Sequence, residues 1–402
     1  MEDPMNQETG NTARILRVEE IGEDRIGAFI SLPFRLYRGE HNWVPTLRGD
    51  QKKMLRGVEN EMYRNGPHAL FLVYEGRKVV ARVQCGINRK MKDEKENYDA
   101  DPSRDPAKEL WGYFALFEAD APDSGRTVLQ AAEKWCRGQG ATHLVGPWSP
   151  DDGESARGIL VQGFDGPPAV LNTYNKEWYG EVVESCGFHK WEDLFAMLAT
   201  PQTLDLDRLG RIADFAEKRV GFHVDQADLK QRDREVDDIY KILLASYPPE
   251  WSNGLPSRQY VEDFVKQNLP ILDERLIFIA RRTTDNEPLA FIVGIPDMND
   301  VLIHMRSGRL TPLNILRFLY YRKRVKGARG MMQFSIPEYR ARGVMAACYA
   351  RGLISACRSG YERFDASTIG ERNAVSWRSV ETAGGKVYRV YRYYWKVLAD
   401  AD

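Results

Sequence analysis

A chain of 402 residues is long for one compact domain and predicts two of about 200 residues each. Apolar residues make up 43% and charged residues 29%, a globular balance that argues against disorder. The formal net charge of −1 leaves no global field to draw the molecule onto nucleic acid or an anionic bilayer. The N-terminus, MEDPMNQETGNTAR, is polar and acidic, which predicts no secretory leader, and no apolar run is long enough to span a membrane. Five scattered cysteines (Cys85, Cys136, Cys186, Cys348, Cys357) and six dispersed histidines lack metal-ligand spacing. The expectation is free thiols, a reducing cytoplasm and no metal site.

In chain order, residues 14–21 read as a short strand and 24–38 as an amphipathic helix. ALFLVYEGRKVVARVQCGI reads as two strands about a turn at Glu75-Gly76, and the charged stretch 89–109 as a solvated insertion. WGYFALFEAD is a strand, DSGRTVLQAAEKWCRGQG a helix stopped at Gly140, ATHLVGPW another strand, and the segment ending ESCGF a helix. After Thr200-Pro201, a helix over 205–220 leads into the same succession. GFHVDQADL is a strand, and 233–247 a helix with Val236, Ile239, Tyr240, Leu243 and Leu244 at helical spacing. RLIFIARRTTDNEPLAFIVGI turns at Asp285-Asn286, and VLIHMR (301–306) alternates like a strand. MMQFSIPEYRARG and VMAACYARGLISACRSG follow as strand and helix, then YERFDAST as a strand and a helix ending ETAGG. Equivalent points lie roughly 200 residues apart in one order, which predicts one plan written twice, over 1–200 and 201–402.

The stretch FSIPEYRARGVMAACYARGLISACR, 334–358, carries the most chemistry. A strand ends at Pro337 and Gly343 opens a helix, with Ala346, Tyr349, Ala350, Leu353 and Cys357 as its expected buried stripe. The first amides of a helix lack internal partners, and the macrodipole adds positive potential there. With Arg340 and Arg342 alongside, Ala341, Arg342, Gly343, Val344, Met345 and Ala346 are expected to cradle a pyrophosphate.

Here the sequence resembles the GNAT superfamily, whose signature is Gln/Arg-x-x-Gly-x-Gly/Ala. Arg340 and Gly343 match it, and Met345 stands where the last small residue belongs. The resemblance covers both halves and implies an α/β (α+β) class: two GNAT-like domains in tandem, each a mixed, largely antiparallel sheet flanked by helices. It implies acyl-CoA as co-substrate and an acyltransferase in which an amine attacks the thioester directly. It also implies that Asn373 begins the last helix beside the CoA arm, and that amides near Ile336 serve the oxyanion. The first half lacks the glycine-rich turn; Asp120 and Asp123 at its equivalent helix start would repel a diphosphate. That half is expected to be a degenerate copy shaping the acceptor side.

The tyrosine that many GNAT relatives use as general acid is replaced here by Val380, and by Val183 in the first half. Tyr388 and Tyr391 are the candidate substitutes. Three side chains are candidates for the base, each with a plainer reading: Glu371 (a helix N-terminal carboxylate), Asp297 (an Asx-turn) and His304 (a structural histidine). In the first half, GFDGPPAVLNTYNKEWYGEVVESCGF offers Phe164, Asp165, Pro167, Pro168, Tyr174, Asn175 and Tyr179, either as lining of an acceptor or acyl-chain tunnel or as a long packed loop.

From Val301 through Pro337 there is no acidic residue and eight basic ones occur. Within that stretch TPLNILRFLYYRKRVKG, 311–327, suits either a helix resting on an anionic membrane surface or a core helix with a solvated basic end. The expected partners are therefore a small-molecule or lipid amine, with peripheral contact to the inner face of a membrane and no nucleic acid. The build is similar to that of bacterial ceramide synthases, which implies N-acylation of a sphingoid base with a fatty acyl-CoA. Two rivals stand beside it: a Fem-like transferase dependent on aminoacyl-tRNA, and a non-catalytic acyl-CoA-binding protein.

Overall fold

The computed structural model describes residues 14–58, 60–91, 109–151, 155–247 and 257–398. Most of the charged stretch 89–109 lies outside them. The first half contains β1 (Leu16–Glu20), α1 (Ile26–Leu36), α2 (Arg48–Leu55), α3 (Glu61–Arg64), β2 (His68–Glu75), β3 (Lys78–Ile87), β4 (Trp111–Ala119), α4 (Pro122–Gly138), β5 (His143–Gly146), β6 (Ile159–Gln162), α5 (Tyr179–Ser185) and β7 (His189–Ala199). The second contains α6 (Leu206–Val220), β8 (Phe222–Gln226), α7 (Arg232–Ser246), α8 (Arg258–Asn268), β9 (Ile277–Arg282), β10 (Pro288–Pro296), α9 (Asn299–Leu302), α10 (Pro312–Tyr321), β11 (Gly327–Ser335), α11 (Val344–Arg358), β12 (Arg363–Gly370), α12 (Ala374–Thr382) and β13 (Lys386–Val397).

These strands form one continuous, mixed sheet in the order β1-β2-β3-β4-β5-β13-β7-β12-β11-β10-β9-β8, with β6 pairing β13. Only β4–β5 and β11–β12 pair in parallel. Each parallel pair is joined by a crossover helix, α4 or α11, because a tight turn cannot connect parallel strands. The two halves exchange their last strands. The end of the chain, β13, pairs with β5, while β7 pairs with β12. The two exchanged strands are antiparallel neighbours from Lys386↔Leu198 to Trp395↔His189, and they sew the halves into one sheet.

Helices cover the sheet. Val128, Leu129, Ala132 and Cys136 of α4 pack with Val80, Ala81 and Phe117. Ala347, Cys348 and Ala350 of α11 lie with Ala280, Leu289 and Ala290, and with Leu209, Ala213 and Ala216 of α6. The expected stripe of α11 is therefore turned: Ala347 and Cys348 are buried, whereas Ala346 is exposed. The cause is that α11 is held on two sides, by the sheet and by α6. Small residues face the sheet there, and a Cβ on Gly352 would come within 2.7 Å of Ile292 Cδ1, so that side chain would have to shift.

The segment 301–306 is a second correction. Asp297 forms an Asx-turn, its Oδ1 accepting from the Asn299 amide at 3.1 Å, and the end of α9 followed by a turn stands where a strand was expected. Val301 and Met305 are both buried. A spacing of four satisfies a strand's alternation and a helix's turn equally, so periodicity could not separate them.

One buried charge cluster ties α7 to the sheet. Arg281 donates to Glu235 at 2.6 Å and to Asp238 at 2.8 Å, and all three are buried. Replacing Arg281 with methionine leaves the buried Glu235 carboxylate without its cation and Asp238 with only Arg234 at 4.0 Å, and should cost about 3 kcal/mol, read as a lower urea midpoint.

Candidate functional site

Both halves carry the same local device. Opposite a bulge, a central strand parts from its parallel neighbour. In the second half the bulge inserts Met331, where the β10–β11 register shifts at Val293/Gly294. The β11–β12 pairing runs only from Gly327↔Arg363 to Gly330↔Ala366, so Met331–Ser335 are unpaired on that side. In the first half the β3–β4 register shifts between Arg82 and Gln84, and β4–β5 pairing ends at Tyr113↔Val145.

What fills the two gaps differs. In the first half the chain leaving β5 bridges the gap: the Trp148 amide donates to Phe114 O at 2.7 Å, and Gln84 and Asn60 both hold Pro150 O at 3.1 Å. Asp120 sits beside the start of α4, taking Arg14, Lys78 and Ser124. Among the described residues, that helix start is thus occupied by an acidic side chain and its partners. In the second half Met331 through Ser335 remain only partly buried.

At the mouth of the second gap, Gly343 adopts the left-handed conformation (φ +90°) as the N-cap of α11. Ala341 is also left-handed (φ +59°). The first helical donor is Ala347, which bonds Gly343 O at 3.0 Å, so the amides of Val344, Met345 and Ala346 precede any carbonyl the helix can offer them. Met345 packs against the α6–α11 core, so the oversized residue in the motif turns inward. Arg340 is spent on the turn itself, donating to Ser246 O at 3.0 Å and Ser335 O at 3.3 Å. Arg342 is exposed and is the cation left beside the cradle.

Ile336 requires a correction. Its amide donates to Leu289 O at 2.9 Å and so points away from the gap. Alternation along β11 then turns the amides of Gln333 and Ser335 toward β12. Asn373 caps α12, accepting from the Ser376 amide at 3.1 Å. It follows β12 by three residues, on the mouth side.

The vertex of the gap holds a polar cluster that the sequence reading missed in part. Arg329 of β11 donates to Ser367 O of β12 at 2.9 Å and also to Val170 O. Tyr388 of β13 donates to the buried Asp365 of β12 at 2.7 Å. Burial raises the Asp365 carboxyl above its usual range, and burial followed by the Asp365 charge raises the Tyr388 hydroxyl, which keeps its proton. Over this cluster lies the first half's segment 163–175. Val170 N–H donates to Asp297 at 2.9 Å, Asn172 to Ser367 at 2.8 Å, Asn299 to Pro168 O at 2.9 Å, and Arg389 to Gly166 O at 2.8 Å. Asp297 is nearly buried, and burial, then the charges of Asp300 and Asp365, push its carboxyl up to about 7.

The remaining candidates are scattered. Glu371 pairs with Lys190 at 2.7 Å on the β7 side, and Lys190 also holds Asp193 at 2.8 Å. His304 is exposed and stacks on Tyr321 at 3.6 Å between centroids; burial, then Arg306, lowers its pKa. Tyr391 is wholly buried among Leu160, Leu194 and Ala196, and burial raises its hydroxyl. Asn175 pins β6 by bonding Leu160 N and O, and Tyr179 donates to the buried Glu118 at 2.8 Å. Both serve the first half's core. Phe164 and Tyr174 form an edge-on pair that is only partly buried, and Asp165 is exposed.

No family model matches the sequence. The chain is 28% identical over 384 residues to the bacterial ceramide synthase of Caulobacter vibrioides, covering 92% of this chain and 94% of that one. It is 26% identical over 391 residues to protein YghO of Escherichia coli, covering 94% of each. Among solved structures, a tandem GNAT protein from the clavulanic acid biosynthesis pathway aligns over 96% of this chain and 100% of its own, with TM-score 0.55 and 11% identity. The chain has the fold of a tandem GNAT protein. A fungal glucosamine N-acetyltransferase region also aligns at TM-score 0.55 and 11% identity; the alignment takes in 95% of this chain and 38% of that longer one. The mixed, largely antiparallel sheet expected for this fold is present in both halves.

Proposed function

We propose that this tandem GNAT N-acyltransferase joins a fatty acyl group from acyl-CoA to a long-chain, sphingoid-type primary amine. The observation that carries the reading is the β11–β12 gap, which runs from the open first turn of α11 to a polar vertex roofed by the other half. The name of the Caulobacter relative supports the substrate class. Residues 201–402 hold the acyl-CoA, and residues 1–200 shape the acceptor side through the segment 163–175.

The amides of Val344, Met345 and Ala346, with Arg342, take the diphosphate. The pantetheine arm lies in the gap, passing Asn373 at the mouth, and the Gln333 amide, the nearer of the two to the vertex, receives the oxyanion. Asp297 removes the proton of the acceptor's ammonium, a role suited by a carboxyl poised near neutral pH. The neutral amine bonds the carbonyl carbon and the C–S bond breaks; Tyr388 gives its proton to the leaving thiolate and takes back the second proton that the nitrogen sheds, so the amide and the free CoA thiol form and the tyrosine ends protonated. Phe164 and Tyr174 border the acceptor's chain. All five cysteines are unpaired, which suits a cytoplasmic enzyme.

The test is to incubate the purified chain with acyl-CoAs of graded length and with sphinganine or short amines, following amide by mass spectrometry and free CoA by thiol titration. Amide and CoA in equal amounts, highest with the long amine, are expected. Acyl-CoA binding with no amide from any amine overturns the proposal and leaves an acyl-CoA-binding protein. Tyr388→Phe should lower kcat roughly 10- to 100-fold with little change in KM. Tyr391→Phe should leave kcat unchanged.

A further inference from the structure

Helix α10 is amphipathic the wrong way round for a soluble surface. Its inward side carries Asn314, Phe318 and Tyr321. Its outward arc carries Leu313 (57% exposed), Ile315, Leu316 (64%), Leu319 and Tyr320 (54%), with Leu310 (65%) just before it. These are six of the fourteen exposed large apolar side chains among the described residues, gathered within eleven positions. Scattered apolar residues are ordinary on a surface, but a patch of this density marks an interaction site.

Around the patch stand exposed Arg309, Arg317, Arg322, Lys323 and Arg324. No carboxylate among the described residues pairs with any of the five. No acidic residue occurs between Val301 and Pro337. No helix among the described residues is long and apolar enough to cross a membrane. Insertion of an apolar arc to the depth of the headgroups, rimmed by unneutralised cations, is the pattern of a helix lying in the plane of an anionic bilayer.

We propose that α10 docks the protein on an anionic lipid surface, with Leu313, Leu316, Leu319 and Tyr320 inserted and the basic residues meeting lipid phosphates. The underside of the helix explains the placement. Phe318 and Tyr321 pack into a cluster with Met298, Val301, Met305 and Val170. Met298 follows Asp297, and Val170 bonds it. The docking face is thus one packed layer from the acceptor side; this last link rests on the proposed reaction, whereas docking itself does not.

The test is co-sedimentation of the full chain, without acyl-CoA or amine, with vesicles of phosphatidylcholine alone or of equal parts phosphatidylcholine and phosphatidylglycerol. Binding to the second, weakening as salt rises, is expected. Arg317→Gln with Lys323→Gln and Arg324→Gln should lower it roughly 100-fold, at about a fivefold loss for each cation. Leu313→Ser with Leu316→Ser should abolish it, with the melting temperature unchanged because both side chains are exposed. Wild-type protein left in the supernatant overturns the proposal, as does undiminished binding by either variant. A concentration-dependent dimer that the serine variant dissolves, without vesicle binding, assigns the patch to a second copy and overturns it too. Failure of acyl transfer alone leaves vesicle binding intact, so the two readings fail separately.

Discussion

Replacing Asp297 with asparagine should slow acyl transfer by roughly 10²–10⁴-fold while making the protein more stable above pH 7. The two effects have one cause. In the folded chain burial and the neighbouring charges of Asp300 and Asp365 raise the Asp297 carboxyl to about 7, whereas an unfolded aspartate titrates near its ordinary 3.8. The folded state therefore binds this proton more tightly. Its contribution to stability is complete at low pH and is lost as pH climbs from about 4 through 7. Asparagine keeps the oxygen that accepts from Val170 and Asn299 but never ionises. Above pH 7 it should gain on the order of 2–4 kcal/mol over the wild type. Melting temperatures from pH 5 to 9 read one half of the prediction; kcat/KM over the same range reads the other. The wild-type rate should rise through about pH 7, where the base loses its proton. A variant turning over at the wild-type rate at pH 8 would remove Asp297 from the chemistry.

The second large effect is expected at Gly343. Its φ of +90° is left-handed, where a β-branched residue is strained by about 1–2 kcal/mol, and a Cβ there would meet Ala216 Cβ at 3.2 Å. Gly343→Val should twist the first turn of α11 and weaken CoA binding by roughly tenfold or more, measured by calorimetry with desulfo-CoA. Two sources can be separated. Ala216→Gly beside Gly343→Ala relieves the contact but leaves the strain, so affinity should recover only in part. Full recovery would mean that α6 packing, and not the left-handed turn, sets the amides.

The left-handed turn at Gly343 and the helix behind it were legible because the glycine, its flanking arginines and the helical pattern are adjacent in the chain. Most elements were legible for a similar reason: their periodicity is local. Segment 301–306 failed because Val301 and Met305 satisfy two periods at once. The vertex cluster was harder. Arg329, Asp365 and Tyr388 lie on three strands and meet only once register is known. Arg329 and Asp365 do leave a mark, a charged residue within a strand pattern, as in GARGMM and RFDAST, and buried charge of that kind is rare unless paired; Tyr388, in the Arg- and Tyr-rich KVYRVYRYYWKV, leaves none. Ile336 shows the limit of a family motif. The motif locates the strand end, but only the bond to Leu289 O tells which way its amide points. The strand exchange had no local trace, since β7 and β13 would satisfy the same burial pattern in either slot.

That exchange bears on how the molecule is made. The strand completing the sheet of the first half is synthesised after every other strand of that sheet, so β5 waits for residues 386–397 to leave the ribosome. Until then the N-terminal half presents an unfilled edge, a condition that favours slow folding and pairing with the wrong chain. Residues 1–200 expressed alone should be insoluble, and co-expression with 201–402 should rescue them.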